Sequence, residues 1–294
     1  MRDSSNVGGM ENLVTINWLA EHLWDPDLVI LDCSVTSIPS ETGITNFSGR
    51  AEYDKGHIPG AGFADLKGDL CDPDAAVEFA PPTPEAFCAA MGRLGVGDAS
   101  RVVLYDSSFS AWAARVWWML RWVGFDRAAL LDGGLGAWVA EGRALSTEPA
   151  SHPARTLTPA PRPELIAGRE DVLAAIDDPR VHLVDTMPAE YFAGGETMYA
   201  RPGHIPTAVN VPAMDALDET GHLKAKHALK TLHPTDRGER YITYCGGGIL
   251  ASLCAFTMTQ NGYRDVAVYT ASLQEWAADP TLPMETGQPA TDAS

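Results

Sequence analysis

One cysteine followed by three glycines is the part of this sequence best suited to chemistry. Cys245 is followed directly by Gly246, Gly247 and Gly248. Glycines allow successive backbone N–H groups to converge on one point, and such a loop binds negative charge. These amides, together with the positive end of a following helix dipole, favour a thiolate over a thiol. We therefore expect Cys245 to be a nucleophile rather than only a small buried side chain.

The flanking residues predict the elements that position this loop. The five residues before Cys245 are β-branched or aromatic, apart from Arg240, and predict a strand. Residues 252–260 show the apolar spacing of a helix. The residues expected to hold a negatively charged sulfur adduct lie between them: Gly246, Gly247, Gly248, Ile249, Leu250 and Ala251.

The sequence repeats itself, which predicts two copies of one fold in tandem. A Gly-His-Ile-Pro turn at residues 56–59 recurs at residues 203–206. A strand-like run precedes each turn and ends in Asp32 in the first copy and in Asp185 in the second. Within each copy, short apolar strands alternate with helical stretches. The predicted fold class is α/β, with two domains that are each a parallel sheet with helices on both faces.

The predicted domain boundaries follow from the repeat and from a proline-rich segment. The first domain covers residues 12–145, and the second covers residues 164–285. Residues 146–163 contain five prolines and are expected to form an extended linker. Aligning the copies places Asp106 where the second copy has Cys245. The first domain is therefore predicted to be inactive, and a single active site is expected between the two.

Composition excludes several classes of function. The chain has 21 Lys+Arg against 39 Asp+Glu, a net charge of −18, which argues against binding to nucleic acid or an anionic membrane surface. There is no apolar run long enough to span a bilayer, so a cytoplasmic location is expected. The five cysteines are scattered, and no two have C-x-x-C spacing. Neither a disulfide framework nor a metal site is predicted.

The tandem turns, the aspartate in the first loop and the Cys-Gly-x-Gly-x-x-Ala loop in the second resemble the two-domain rhodanese family. This resemblance covers nearly the whole chain. It implies a sulfurtransferase that moves sulfane sulfur from thiosulfate or 3-mercaptopyruvate to cyanide or a thiol through a persulfide on Cys245. It implies no cofactor, small-molecule donors and acceptors, and a thioredoxin-like protein as a further acceptor.

A phosphatase and a non-catalytic persulfide carrier are the two alternatives to a sulfurtransferase. Phosphatases of similar architecture use Cys-x5-Arg, but the sixth residue after Cys245 is Ala251, so a phosphoryl group would lack its main charge partner. A non-catalytic carrier that relays persulfide sulfur between enzymes is the alternative to a sulfurtransferase. Turnover compared with that of a Cys245→Ser variant separates the two, and an inactive scaffold would gain no sulfur at all.

The residues that would bind the donor's anionic end are less clearly marked. Family members tend to place two arginines after the aspartate that ends the second domain's first strand, where this chain has Met187 and Tyr191. The candidates to replace them are Arg201, Arg115 and Arg50, with Arg115 expected near the interdomain cleft. His57 is a further candidate, although its turn is present in both copies, which favours a structural role.

Overall fold

The computed structural model describes residues 6–7, 10–40, 43–150 and 152–287. Two five-stranded sheets, one in each half of the chain, organise the described residues. Every pair of neighbouring strands in both sheets is parallel. The predicted α/β class with two parallel sheets is confirmed.

The first half contains the following strands and helices: β1 (Asn6–Val7), β2 (Met10–Glu11), β3 (Leu13–Val14), α1 (Ile16–His22), β4 (Leu28–Asp32), β5 (Val35–Ser40), β6 (Gly43–Ser48), α2 (Arg50–Tyr53), β7 (Gly62–Phe63), α3 (Pro84–Arg93), β8 (Arg101–Tyr105), α4 (Ala111–Trp122), β9 (Ala128–Leu131) and α5 (Gly134–Ala140). Its sheet has the order β3-β9-β8-β4-β7. All five side chains of β4 are buried. Because neighbouring residues of a strand point to opposite faces, a fully buried strand requires cover on both sides of the sheet.

That cover is visible in the two hydrophobic clusters of the first half. Val29 and Leu31 of β4 belong to the cluster that contains α3 and α4. Leu28 and Ile30 belong to a second cluster, with side chains of α1 and α5. Helices therefore lie on both faces of this sheet, as predicted.

The second half repeats this plan with β10 (Ile166–Ala167), α6 (Arg169–Ile176), β11 (Val181–Asp185), α7 (Ala189–Phe192), β12 (Val209–Asn210), α8 (Lys226–Leu232), β13 (Arg240–Tyr244), α9 (Ile249–Gln260), β14 (Asp265–Tyr269) and α10 (Ser272–Trp276). Short 3-10 turns occur at Pro163–Leu165 and Ala213–Ala216. The sheet order is β10-β14-β13-β11-β12, so β13 is the central strand.

The repeated Gly-His-Ile-Pro turns are anchored in the same way in both halves. The backbone N–H of Ile58 donates to the hydroxyl oxygen of Tyr105 at 3.2 Å. In the second half, the N–H of Ile205 donates to the Tyr244 hydroxyl at 3.0 Å. Burial raises the pKa of Asp185, which pairs with Tyr244 in the sheet, to about 7. The tyrosines that end β8 and β13 therefore hold the turns in place.

The two halves pack through the helices that follow the equivalent loops. Helix α4 lies against α9, and the ring of Trp117 meets Phe256 edge-on at 4.8 Å between centroids. Buried side chains from both halves form one continuous cluster. No helix among the residues that the structure describes is long and apolar enough to cross a membrane.

An antiparallel hairpin extends from the first half and was not predicted. Strands β5 and β6 pair from Val35 with Ser48 to Ser40 with Gly43. Ile38, Ile44 and Phe47 of this hairpin are each about half exposed. Exposed apolar side chains on a projecting hairpin are typical of a wall that contacts a ligand or another part of the molecule.

The buried His233 makes a testable contribution to the pH dependence of stability. Its Nε2 lies 2.9 Å from the hydroxyl of Thr257, and burial lowers its pKa from 6.5 to about 4. Between these values the unfolded chain binds a proton that the folded chain does not, so stability falls as the pH falls from 6.5 to 4. A His233→Gln variant removes this titration but keeps an amide that can bond Thr257. Relative to that variant, we expect the wild type to lose about 3 kcal/mol of unfolding free energy between pH 7.5 and pH 4. A difference measured by urea unfolding that stays constant over this range would contradict the assignment.

Candidate active site

Cys245 lies directly after the central strand β13 and four residues before α9 begins. This position is the carboxyl end of a parallel strand, where open α/β sheets bind their ligands. The residue is 2% exposed, and its sulfur faces the loop that leads into the helix. Strand and loop together place one thiol against the main-chain N–H of Gly248.

The backbone of Gly248 shapes this loop. Its N–H donates to Cys245 Sγ at 3.1 Å, and its φ of +79° lies in the left-handed region. A Cβ at this position would stand 2.7 Å from the carbonyl oxygen of Thr270, which belongs to the backbone and cannot move aside cheaply. Both the conformation and the space therefore require glycine at residue 248.

The start of α10 holds the loop from the other side. Cys245 N–H donates to the hydroxyl of Ser272 at 3.1 Å, and that hydroxyl donates to the carbonyl of Tyr269. The N–H groups of Leu273 and Gln274 donate to the carbonyls of Cys245 and Gly246 at 3.0 and 2.9 Å. With its carbonyls fixed in this way, the loop can direct its amides at the sulfur without first reorganising.

The equivalent loop of the first half shows what such a cradle binds. There the Asp106 carboxylate accepts hydrogen bonds from the N–H groups of Ser108 and Ser110 through Oδ1, and of Ala113 through Oδ2, at 2.9–3.0 Å. Ser110 has a φ of +62°, matching the left-handed backbone of Gly248. Burial raises the pKa of Asp106, and these amide bonds oppose the rise. The first loop therefore binds its own side chain as an internal anion.

Residues of the first half cover the Cys245 loop. The N–H of Glu78 donates to Oε1 of Gln274 at 2.8 Å, and a Cβ on Gly247 would overlap the amide of Gln274. Arg115, which is fully buried, donates from Nη2 to the carbonyl of Phe79 at 2.7 Å. The loop is thus enclosed by both halves of the chain.

A cavity, called the opening below, lies between the projecting hairpin and Tyr199, a neighbour of the Cys245 loop. Tyr199 closes one side, since a Cβ on Gly246 would overlap its hydroxyl. Burial raises the pKa of Tyr199, and the nearby Cys245 sulfur adds to this rise. A cavity of about 540 Å³ is lined by Pro39, Gly43, Ile44, Tyr191, Thr197, Met198 and Tyr199. None of these described lining residues carries a positive charge.

The candidate residues predicted from the sequence have different surroundings. Ile249, Leu250 and Ala251 form the first turn of α9, directly after the three glycines. Arg115 lies behind the loop, and Tyr191 lines the opening. Met187 is buried in the hydrophobic core.

The other candidates are held by contacts of their own. The guanidinium of Arg201 donates to the carbonyls of Trp276, Ala277, Asp279 and Leu282. Arg50 forms an exposed ion pair with Asp54 at 2.7 Å. Both ring nitrogens of His57 are within 3.0 Å of backbone carbonyls, those of Tyr53 and Glu148. The structure does not bring these three side chains to Cys245.

Several residues at the site were not identified from the sequence. Ser272 could have been, because the repeat aligns it with Gly134, and both have positive φ values, of 52° and 56°. A serine where the other copy has glycine carries backbone strain, which suggests a use for its hydroxyl. Tyr199 and Gln274 have no comparable signal in the sequence. Among the described residues, no group of three or more His, Cys, Asp or Glu is placed to hold a metal ion.

Comparison with known proteins finds members of one family along most of the chain. A model of the rhodanese-like domain matches residues 15–141 and again residues 169–279. The 3-mercaptopyruvate sulfurtransferase of Escherichia coli is 33% identical over 280 residues, covering 92% of this chain and 97% of the relative. The thiosulfate sulfurtransferase of Rattus norvegicus is 31% identical over 277 residues, covering 90% of this chain and 91% of the relative.

Solved structures agree with these relatives. The crystal structure of SseA from Escherichia coli, described as a 3-mercaptopyruvate sulfotransferase with the rhodanese fold, superimposes with a TM-score of 0.79. It is 31% identical, and the match covers 90% of this chain and 99% of that one.

The steric requirement at Gly248 can be tested with a matched pair of variants. Gly248→Ala combines a left-handed backbone with the clash against Thr270. Gly262→Ala shares the left-handed backbone, at φ +90°, but its Cβ would meet nothing within 4 Å. We expect Gly262→Ala to cost about 1 kcal/mol of unfolding free energy, and Gly248→Ala to cost clearly more. Gly248→Ala should also slow alkylation of Cys245 by iodoacetamide, measured on the Cys245 peptide. Equal effects of the two substitutions on both measurements would contradict this account.

Proposed function

The chain belongs to the rhodanese family and is a sulfurtransferase, and on that premise we propose that it carries sulfane sulfur as a persulfide on Cys245. The hydrogen bond from Gly248 N–H to Cys245 Sγ, at 3.1 Å, is the observation that carries this proposal. A main-chain donor aimed at sulfur stabilises the thiolate before the reaction and the persulfide anion after it. The self-bound carboxylate of Asp106 in the matching loop supports a preference of this backbone for negative charge.

The reaction consists of two half-reactions, and the enzyme returns to its starting state after the second. The Cys245 thiolate attacks the outer sulfur of the donor, a new S–S bond forms, and the donor's bond to that sulfur breaks. The electron pair leaves with the rest of the donor, as sulfite from thiosulfate or as the enolate of pyruvate from 3-mercaptopyruvate. The amides of residues 246–251 hold the Cys–S–S⁻ group. A thiolate or cyanide acceptor then attacks the outer sulfur and regenerates the Cys245 thiolate.

The two halves of the chain divide this work. We place the domain without a nucleophile at residues 12–145, the linker at 146–163 and the catalytic domain at 164–285. Asp106 fills the cradle of the first domain, so that domain contributes cover and walls. Its hairpin contributes Pro39, Gly43 and Ile44 to the opening beside Tyr199.

Charge at the opening favours 3-mercaptopyruvate over thiosulfate as donor. The described lining residues offer hydroxyl groups and apolar surface but no cation. Burial raises the pKa of Tyr191, and the neighbouring Glu196 and Glu190 raise it further. The negative charge of these two glutamates lies beside the Tyr191 wall of the opening. Thiosulfate has two negative charges to place there, whereas 3-mercaptopyruvate has a single carboxylate beside an uncharged ketone and methylene.

The opening limits which acceptors can react, and the free cysteines of the chain bear on its compartment. A small thiol or cyanide can reach the buried sulfur through the opening, and a thioredoxin-like protein could do so through its reactive cysteine. All five cysteines are free, and four of them are buried. Free thiols favour a reducing compartment such as the cytoplasm.

Replacement of the nucleophile tests both the role of Cys245 and the carrier alternative. We expect Cys245→Ser to lower the rate of sulfur transfer from 3-mercaptopyruvate to a thiol by at least about a thousandfold. Cys71→Ser, at a partly exposed thiol of the first domain, should retain the wild-type rate. Mass spectrometry of the donor-treated wild type should find one additional sulfur on the Cys245 peptide. A wild type that takes up one sulfur and never turns over would support a relay protein, and an active Cys245→Ser variant would rule out the persulfide on this residue.

Donor preference is tested by placing a cation in the opening. The wild type should use 3-mercaptopyruvate with a kcat/KM at least about tenfold above that for thiosulfate. Tyr191→Arg should raise kcat/KM for thiosulfate, whereas Tyr191→Gln, which changes the same position without a charge, should not. Equal use of both donors by the wild type, or no gain in Tyr191→Arg, would contradict the assignment of the donor.

A further inference from the structure

Arg115 is a buried cation without an acidic partner. It lies on α4 of the first half and is 0% exposed. Nη2 donates to the carbonyl of Phe79, while Nε and Nη1 have no hydrogen-bond partner among the described residues. The described residues also place no carboxylate within ion-pair distance of it. A buried guanidinium with unused donors is costly unless an anion is present for part of its working cycle.

The unused donors lie against the Cys245 loop. Nη1 is 3.1 Å from the position that a Cβ on Gly248 would occupy, and Gly248 is the residue whose N–H bonds Cys245 Sγ. On its other side the guanidinium lies over the ring of Trp118, at 5.3 Å from the centroid. Trp118, Phe79 and the loop backbone therefore fix the positive charge against Gly248, the residue that bonds the sulfur.

The charge balance around Arg115 points to Cys245 as its counter-ion. Burial lowers the pKa of Arg115 to about 10, and the one charge that opposes this fall is a negative charge on Cys245. At neutral pH the guanidinium therefore remains protonated. The thiolate and the persulfide each place a negative charge on Cys245, the residue whose charge acts on Arg115.

We propose that Arg115 is the buried counter-ion of the Cys245 thiolate and of the persulfide that forms from it. The first domain, which has no nucleophile, thereby supplies positive charge to the reaction of the second. Arg115 does not line the opening, so it acts on the reacting sulfur rather than on the distant end of the donor. This role rests on the proposed persulfide chemistry.

The same geometry couples the sulfur to the packing of the two halves. Arg115 connects α4 to the carbonyl of Phe79, a residue with a left-handed backbone at φ +59° in the segment that covers the loop. The N–H of the adjacent Glu78 contacts Gln274 of α10. A negative charge on Cys245 therefore attracts the α4 side of the interface, and loss of that charge leaves Arg115 unpaired there.

The test uses variants that separate charge from packing. Arg115→Met removes the charge and keeps an unbranched side chain, whereas Arg115→Lys keeps a charge. Arg121→Met is the matched control: Arg121 lies on the same helix, over the ring of Trp117, but its ion-pair partner is Asp126. The readout is the rate of iodoacetamide alkylation of the Cys245 peptide as a function of pH, together with the pH profile of kcat/KM.

Loss of the counter-ion should disfavour the thiolate. We expect Arg115→Met to slow alkylation about tenfold at pH 7 and to shift the acidic limb of both pH profiles to higher pH. Arg115→Lys should recover most of the rate, and Arg121→Met should match the wild type. Removing one partner of a buried ion pair lowers stability as well, so the pH profiles of Arg115→Met, and not its thermal unfolding temperature, decide the outcome. If that variant does not fold, Arg115→Gln, which keeps an amide donor for Phe79, takes its place.

The outcomes distinguish this inference from the proposed function. Wild-type pH profiles in a folded Arg115→Met or Arg115→Gln variant that still forms the persulfide would overturn the role of Arg115 alone. A uniform loss of rate at every pH, with no shift of the acidic limb, would show a structural role and would also overturn it. Failure of the wild type to gain sulfur on Cys245 would overturn the persulfide proposal itself, whatever Arg115 does.

Discussion

Hydrogen bonding from the backbone to the negative charge of one side chain, at the start of a buried helix, is the constraint on which this structure depends. It occurs twice. In the first domain the charge is the Asp106 carboxylate, which the chain supplies itself. In the second domain we propose that it is the thiolate of Cys245, whose sulfur accepts a hydrogen bond from the N–H of Gly248. A left-handed residue, Ser110 or Gly248, stands directly before the helix in both loops, although the first loop is one residue longer and has no glycine.

In the proposed reaction, the first domain, which has Asp106 in place of the cysteine, still encloses the Cys245 loop. Its hairpin β5–β6 forms one wall of the opening, and the segment with Glu78 and Phe79 covers the loop from above. Helix α4 packs on α9, and this contact places Arg115 of α4 beside Gly248, directly before α9 begins. Cys245, the proposed nucleophile, is 2% exposed and so is shielded from bulk water, which strengthens every charge interaction made there. The enclosure needs both domains.

Local patterns predicted what local interactions determine. The strand before Cys245, the glycine loop and the helix after it were readable because propensity, spacing and turn chemistry act over a few residues. The hairpin, Tyr199 and Gln274 were not, since their positions depend on contacts between residues far apart in the chain. Arg201 shows the same limit. Its charge made it a candidate to bind the donor, but its guanidinium donates to four carbonyls around the end of α10. The repeat alignment could have flagged Ser272, because the first copy has Gly134 at the same strained position.

A crystal structure of the protein after exposure to a sulfur donor tests the central claim most directly. The account predicts a second sulfur bonded to Cys245 Sγ, with the outer sulfur within hydrogen-bond distance of N–H groups of residues 246–251. An outer sulfur that points out of the loop with no amide donor near it, or a sulfur added to another cysteine instead, would contradict the account.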